Sequence, residues 1–234
     1  MQDNKDIGTP DQMLHEAAAK REKINLHHMQ SGVKIIDPAT TYIDETVIIS
    51  PSAVIYPGCI LEGDCYIHEG AIIGPYTHMR DTTIGKNTAV RQSVLTGAVV
   101  GADTEVGPFA YLRPGAVVGN RCRVGNFVEI KNAILGDNTK MAHLAYVGDA
   151  DIGSNVNIGC GVITVNYDGK KKHRTTVNDN AFVGSNVNLI APVEVGAGAF
   201  VAAGSTITDA VPEYSLAIAR KRQTNKENWV KDKE

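Results

Sequence analysis

The chain has 234 residues, with 23 Lys or Arg against 26 Asp or Glu and a formal charge of −3, a balance that gives no general attraction to nucleic acid or an anionic membrane. No run approaches the ~18 continuous apolar residues of a membrane span, and the opening MQDNKDIGTPDQ lacks the apolar stretch of a signal peptide. Hydrophobic residues at 43% with aromatics at 6% predict one soluble, cytoplasmic domain with an aliphatic core, and they exclude collagen and coiled coil.

Residues 1–36 carry a helix signal. Thr9-Pro10-Asp11-Gln12 reads as an N-cap, a proline at the first helical position and a capping-box glutamine. Met13, Leu14, Ala17, Ala18, Ile24 and Met29 form an imperfect helical stripe, and Gly32 is the natural stop. A docking or linker helix is the expectation.

From residue 37 to residue 212 a repeat governs. Beginning at Ile49, aliphatic residues recur every six positions, sometimes five: Ile55, Leu61, Ile67, Ile73 and Met79 open a run that reaches Ile158. It resumes at Val177 and ends at Ile207. Counting Thr164 as a rung there are 27, or about nine coils of three. This is the signature of an all-β parallel β-helix, in which each rung is a short strand pointing one aliphatic side chain inward. Residues 17 or 18 apart then stack at roughly 4.8 Å, the usual strand spacing. Cys59, Cys65 and Cys122 hold the small-residue position of their hexads and read as reduced packing thiols rather than a zinc or redox set. Pro212 closes the last coil, and the polar tail 213–234 is expected to cover the stack or reach a neighbouring subunit.

Departures from the repeat mark candidate chemistry. Arg113 and Lys131 stand 18 apart, each directly after a rung, so two cations share one corner. Surface charge pairing and a socket for a phosphorylated substrate both explain them, with Arg113 as a bidentate clamp and Lys131 as a point charge. Glu129 and Tyr146 stack beside that corner, 17 apart. His143 follows Met141 by two, with Asn126 below and Cys160 above it in the same column. A neutral imidazole is the obvious base at cytoplasmic pH. His15, His27 and His28 lie on the terminal helix, and His68, His78 and His143 share no column, which disfavours a three-histidine zinc site. Between Thr164 and Val177, 13 residues replace the usual six. The excess is a loop with an Asp168-Gly169 turn and the run Lys170, Lys171, Lys172, His173, Arg174: either a solvated excursion or an anion site.

The segments GPFAYLRPGA, VGNFVEIKNA, AHLAYVGDADIG, VNIGCGVITVNYDGKKKH and SLAIARKRQ resemble the acetyltransferase half of the GlmU family, the bifunctional glucosamine-1-phosphate acetyltransferase/N-acetylglucosamine-1-phosphate uridyltransferases. The resemblance runs from the helix near residue 9 to about residue 230. It implies a left-handed β-helix, a homotrimer with sites between subunits, acetyl-coenzyme A as donor and glucosamine 1-phosphate as acceptor. Residue by residue it implies His143 as general base, with Arg113 and Lys131 holding the sugar phosphate alongside Lys172. Tyr146, Asn157 and Asn166 would line the sugar pocket; Asn166 and Tyr167 would also meet the cofactor, with Ser185, Ala203 and Arg220 on coenzyme A and Cys160 as wall. Backbone amides near Cys160, or the Ser185 hydroxyl, would stabilise the oxyanion. Glu129 is the candidate to orient the base. The family loop carries Asn where Lys171 stands. The family's nucleotidyltransferase domain has no counterpart here, so neither uridyltransfer nor a metal is expected. An acetyltransferase for another amino sugar and a non-catalytic hexapeptide scaffold are the alternatives.

Overall fold

The computed structural model describes residues 9–231, a single helix followed by a three-faced parallel β-solenoid. The helix spans Pro10–Gln30, and its N-terminus carries the expected capping box: the Thr9 hydroxyl accepts from the Gln12 N–H, and the Gln12 side chain accepts from the Thr9 N–H. Its packing face differs from the expected stripe. Met13, Leu14 and Met29 are exposed, while Asn25 and His28 are buried and Ile24 is half-buried against the core. The Asn25 amide fixes this orientation by donating to the carbonyls of Pro38 (2.9 Å) and Thr41 (3.0 Å). Two hydrogen bonds to turn carbonyls outweigh an apolar stripe that finds no second layer to cover it.

The ladder is longer than its periodicity indicates. It begins at Lys34–Ile35 and ends at Leu216–Ala217, overrunning the expected 37–212 at both ends. One face stacks eleven strands, from Ile35 through Ile55, Ile73, Val90, Val106, Val124, Met141, Ile158, Val183 and Val201 to Ala217. That makes about ten turns rather than nine. Ile43 opens the second face, Ile49 the third, and every pairing between strands is parallel and in register. The rungs fill the prism: Ile55, Leu61, Ile67, Ile73, Met79, Ile84, Leu95, Leu112 and Ile130 are fully buried. No helix among the described residues is long and apolar enough to cross a membrane.

At one corner the coils touch backbone to backbone. A Cβ on Gly101 would lie 2.6 Å from the Gly119 carbonyl carbon, and one on Gly136 would lie 2.7 Å from that of Gly153. Cys59, Cys65 and Cys122 are buried and free, with their thiols pushed above the usual range by burial; Cys160 is free and exposed.

Candidate functional site

Two edges of the solenoid collect the singled-out residues. Along the first, Asn126 pairs in register with His143. The chain continues up this edge through Cys160, Ser185 and Ala203: the Asn186 N–H reaches the Cys160 carbonyl (2.7 Å), and the Gly204 N–H reaches that of Ser185 (2.8 Å). Arg220 packs next, its Cδ 3.7 Å from where a Cβ on Gly204 would stand. The imidazole thus lies in line with Cys160, Ser185, Ala203 and Arg220, whereas Asn166 and Tyr167, also expected at the cofactor, lie at the other edge. His143 Nδ1 lies 2.8 Å from Asn126 Oδ1. An amide oxygen only accepts, so Nδ1 carries the proton of this hydrogen bond.

The second edge is cationic. Arg113 and Lys131 occupy the same corner of successive coils, and Gly148 takes that place one coil on. Arg113 Nη1 holds Glu129 Oε1 at 2.7 Å, and this partner keeps the guanidinium above its ordinary pKa. Glu129 thus engages the clamp rather than the imidazole, which Asn126 holds instead. The backbone reason is register: Glu129 lies in the strand Glu129–Leu135, one coil above Tyr111, and a long side chain there meets Arg113 along the face.

Lys131 faces the loop. Its pKa lies below the usual lysine range, chiefly because the Lys172 ammonium stands beside it and secondarily because of partial burial; Asp149 opposes the shift. Lys172 stands 41 residues further along the sequence, in the long loop. Tyr146 reaches the same place: a Cβ on Gly148 would lie 2.4 Å from the Tyr146 hydroxyl and 2.9 Å from the Asn166 amide nitrogen. A side chain at 148 would expel both groups.

The loop is built, not loose. Asp168 Oδ1 accepts from the backbone N–H groups of Lys170 (2.7 Å) and Lys171 (2.6 Å), while Oδ2 meets His173 Nε2 at 2.8 Å. These bonds, the Lys171 amide first among them, hold the Asp168 carboxyl down at about 2. The Tyr167 hydroxyl donates to the Gly169 carbonyl (2.7 Å), so Tyr167 braces the turn. Arg174 pins the base of the loop through Asp151 and the carbonyls of Ala150 (3.0 Å) and Asn132 (3.3 Å).

Asn157 does not join either edge. It lies on the first face, paired with Lys140 and Phe182, around the corner from Tyr146. The sequence reading places Asn126 under His143 without giving it the role of holding the imidazole, and it misses Asp149, a buried carboxylate that accepts from the amides of Asn132 and Asn166. The signal for Asp149 was available, because Asn132, Asp149 and Asn166 are spaced one coil apart, 17 and 17. Among the described residues no three His, Cys, Asp or Glu side chains gather closely enough to share a metal ion.

A family described as bacterial transferase hexapeptide (six repeats) matches residues 97–132 and 174–209. The bifunctional protein GlmU of Acetivibrio thermocellus is 56% identical over 210 residues, covering 90% of this chain and 46% of that protein. GlmU of a Geobacillus species is 53% identical, covering 96% of this chain and 49% of its own length. The chain spans about half the length of the curated relatives it matches. Among solved structures, a Francisella novicida UDP-N-acetylglucosamine acyltransferase aligns over 76% of this chain and 66% of its own at a TM-score of 0.43 and 19% identity. Two segments of the chain thus match the bacterial transferase hexapeptide family, and nine-tenths or more of the chain is similar to about half of the length of GlmU proteins.

Proposed function

We propose that the protein transfers the acetyl group of acetyl-coenzyme A to the amino nitrogen of glucosamine 1-phosphate. The observation that carries this reading is the cationic corner that Arg113 and Lys131 share, where the Lys172 ammonium lowers the Lys131 pKa and the Tyr146 hydroxyl and Asn166 amide meet over Gly148. Three cations from three separate stretches suit a phosphate monoester, which accepts several charge-assisted hydrogen bonds.

In this reading the chemistry needs no covalent intermediate. The amine lone pair attacks the thioester carbonyl carbon, and the His143 Nε2 takes a proton from the attacking nitrogen. The Asn126 bond at Nδ1 sets the tautomer that leaves Nε2 basic. The tetrahedral oxyanion collapses, the C–S bond breaks, and the coenzyme A thiolate leaves to be protonated. Cys160, Ser185, Ala203 and Arg220 continue the His143 edge and supply a track along which the cofactor would lie.

A homotrimer completes the reading. Asn157 and the stacked rings of Phe182 and Phe200, 4.5 Å apart, occupy a face that turns away from Tyr146, so a neighbouring copy is needed to bring both to one acceptor sugar. Four free cysteines suit a reducing cytoplasm. The test is release of coenzyme A thiol with glucosamine 1-phosphate, glucosamine 6-phosphate and glucosamine as acceptors. Turnover preferring the 1-phosphate is expected; no acetyl transfer to any of the three overturns the proposal.

A further inference from the structure

The third corner of the coils carries polar chemistry of its own. A cavity there is lined by Arg121, Asn138, Lys140, Asn155, Val156 and Asn157. It lies at the start of the strand Lys140–His143, with the imidazole at the other end. Arg121, Asn138 and Asn155 hold the same place on three successive coils, each at positive φ (+54, +60 and +57), and Asp103 and Asn180 hold it on the coils to either side. Asn and Asp adopt this conformation readily, whereas arginine does not. Arg121 is held there by its neighbours: its Nε donates to Asn138 Oδ1 at 2.8 Å, and its Nη2 lies 3.4 Å from Asp137 Oδ2. With Oδ1 taken, Asn138 offers the cavity only its N–H donors. The side-chain amides of Asn155 and Asn157 have no partner among the described residues. Lys140 stands in register with Asn157 on one side and Arg123 on the other. Two cations directly opposite on neighbouring strands repel, and neither is in an ion pair among the described residues. Glu105 stands below Arg123 in register without closing one.

We propose that this corner is an oxyanion pocket for a phosphorylated small molecule, in which Lys140 supplies the charge and the amides of Asn138, Asn155 and Asn157 supply neutral donors. The donors stand on two coils and around a bend, an arrangement that suits a tetrahedral anion with several accepting oxygens better than a flat carboxylate. The Asn155 and Asn157 carbonyl oxygens remain for hydroxyl groups on the body of the ligand. A single pocket on a chain of formal charge −3 fits a small molecule rather than a nucleic acid. The inference goes beyond the acetyltransferase reading, since nothing in it needs an acyl donor. Two sources share this chemistry: a free sugar phosphate, and the acceptor reaching Asn157 across a subunit boundary.

The test is calorimetric titration without acetyl-coenzyme A, with glucosamine 1-phosphate and inorganic phosphate as probes. Wild type is compared with Lys140→Ala, Lys140→Arg and Lys131→Ala. Lys140 is exposed, so its replacement should leave the melting temperature unchanged. Lys140→Ala is expected to weaken binding of at least one probe about tenfold, the loss usual for a charge-assisted contact. Lys140→Arg keeps the charge and should restore that affinity to within about threefold. If wild type binds two equivalents per chain and each alanine variant keeps one, the ligand is a free sugar phosphate. If wild type binds one and both alanine variants weaken it, the acceptor bridges two copies. Lys140→Ala affinities for both probes within about twofold of wild type overturn the pocket, as does a loss that Lys140→Arg does not restore. So does a wild type that binds neither probe. A protein that binds phosphate here yet acetylates no amino sugar overturns the acetyltransferase reading instead and leaves the pocket standing.

Discussion

The residue that follows a rung serves opposite ends at two corners of the same coils. After Ile84, Val100, Val118, Leu135 and Ile152 it is glycine, and successive coils close onto one another with no room for a side chain. After Leu61, Met79, Leu112 and Ile130 it is Glu62, Arg80, Arg113 and Lys131, and long charged side chains leave the axis. Glu62 and Arg80 neutralise each other at 3.0 Å, Arg113 has Glu129, and Lys131 meets another lysine. Stability and chemistry are thus divided between corners rather than between domains. A solenoid permits this because each coil rests only on its neighbours.

The sharpest break in the comparison comes from His143, on the edge between these uses. His143→Ala should lower kcat by about 10²–10⁴, the usual span for a general base, while the melting temperature stays near wild type. A loss within a few-fold would remove the imidazole from the mechanism. At the glycine corner, Gly101→Val should cost about 1–3 kcal/mol of stability by overpacking, read as a lower melting temperature with the acceptor KM of the folded fraction unchanged. At the charged corner, Arg113→Ala should do the reverse: an intact fold and a glucosamine 1-phosphate KM raised about tenfold. The smallest effect belongs to the loop. Asp168→Ala should speed hydrogen exchange at the Lys170 and Lys171 amides at neutral pH, with global stability unaltered. Because the Asp168 carboxyl is depressed to about 2, its anchoring is present above the ordinary carboxylate range and is lost as pH falls through about 2. Exchange of those amides in the wild type should stay slow at pH 4 and rise as that value is approached.

The ladder and the loop were legible because both are patterns of spacing. Rungs at five or six residues require a repeating strand, and 13 residues between Thr164 and Val177 require an excursion. Ile35 stands eight positions before Ile43, outside the period, whereas Ile43 stands six before Ile49 and keeps it. The helix stripe misled for a different reason: a hydrophobic pattern presumes a core to face, and here two carbonyls recruited Asn25 instead. Glu129 was assigned to the wrong partner because adjacency in a column does not say which of two nearby polar groups a flexible carboxylate selects. Asp149 reads like any surface aspartate until the coil spacing places amides on both sides of it.

Thr164 is the one rung of the ladder that is not aliphatic, and its hydroxyl carries a duty the others leave to the main chain. Elsewhere the amide after a rung donates to the rung carbonyl of the next coil, as Gly101 does to Val118 and Arg113 to Ile130. Gly148 donates instead to the Thr164 hydroxyl (2.8 Å), which donates in turn to the Gly148 carbonyl (3.0 Å). The hydroxyl is a splice that lets the chain leave the stack for the lysine loop without orphaning the backbone below. Grafting that loop onto another hexapeptide scaffold would therefore have to carry its threonine along, since valine would fill the same space and leave the joint unsatisfied.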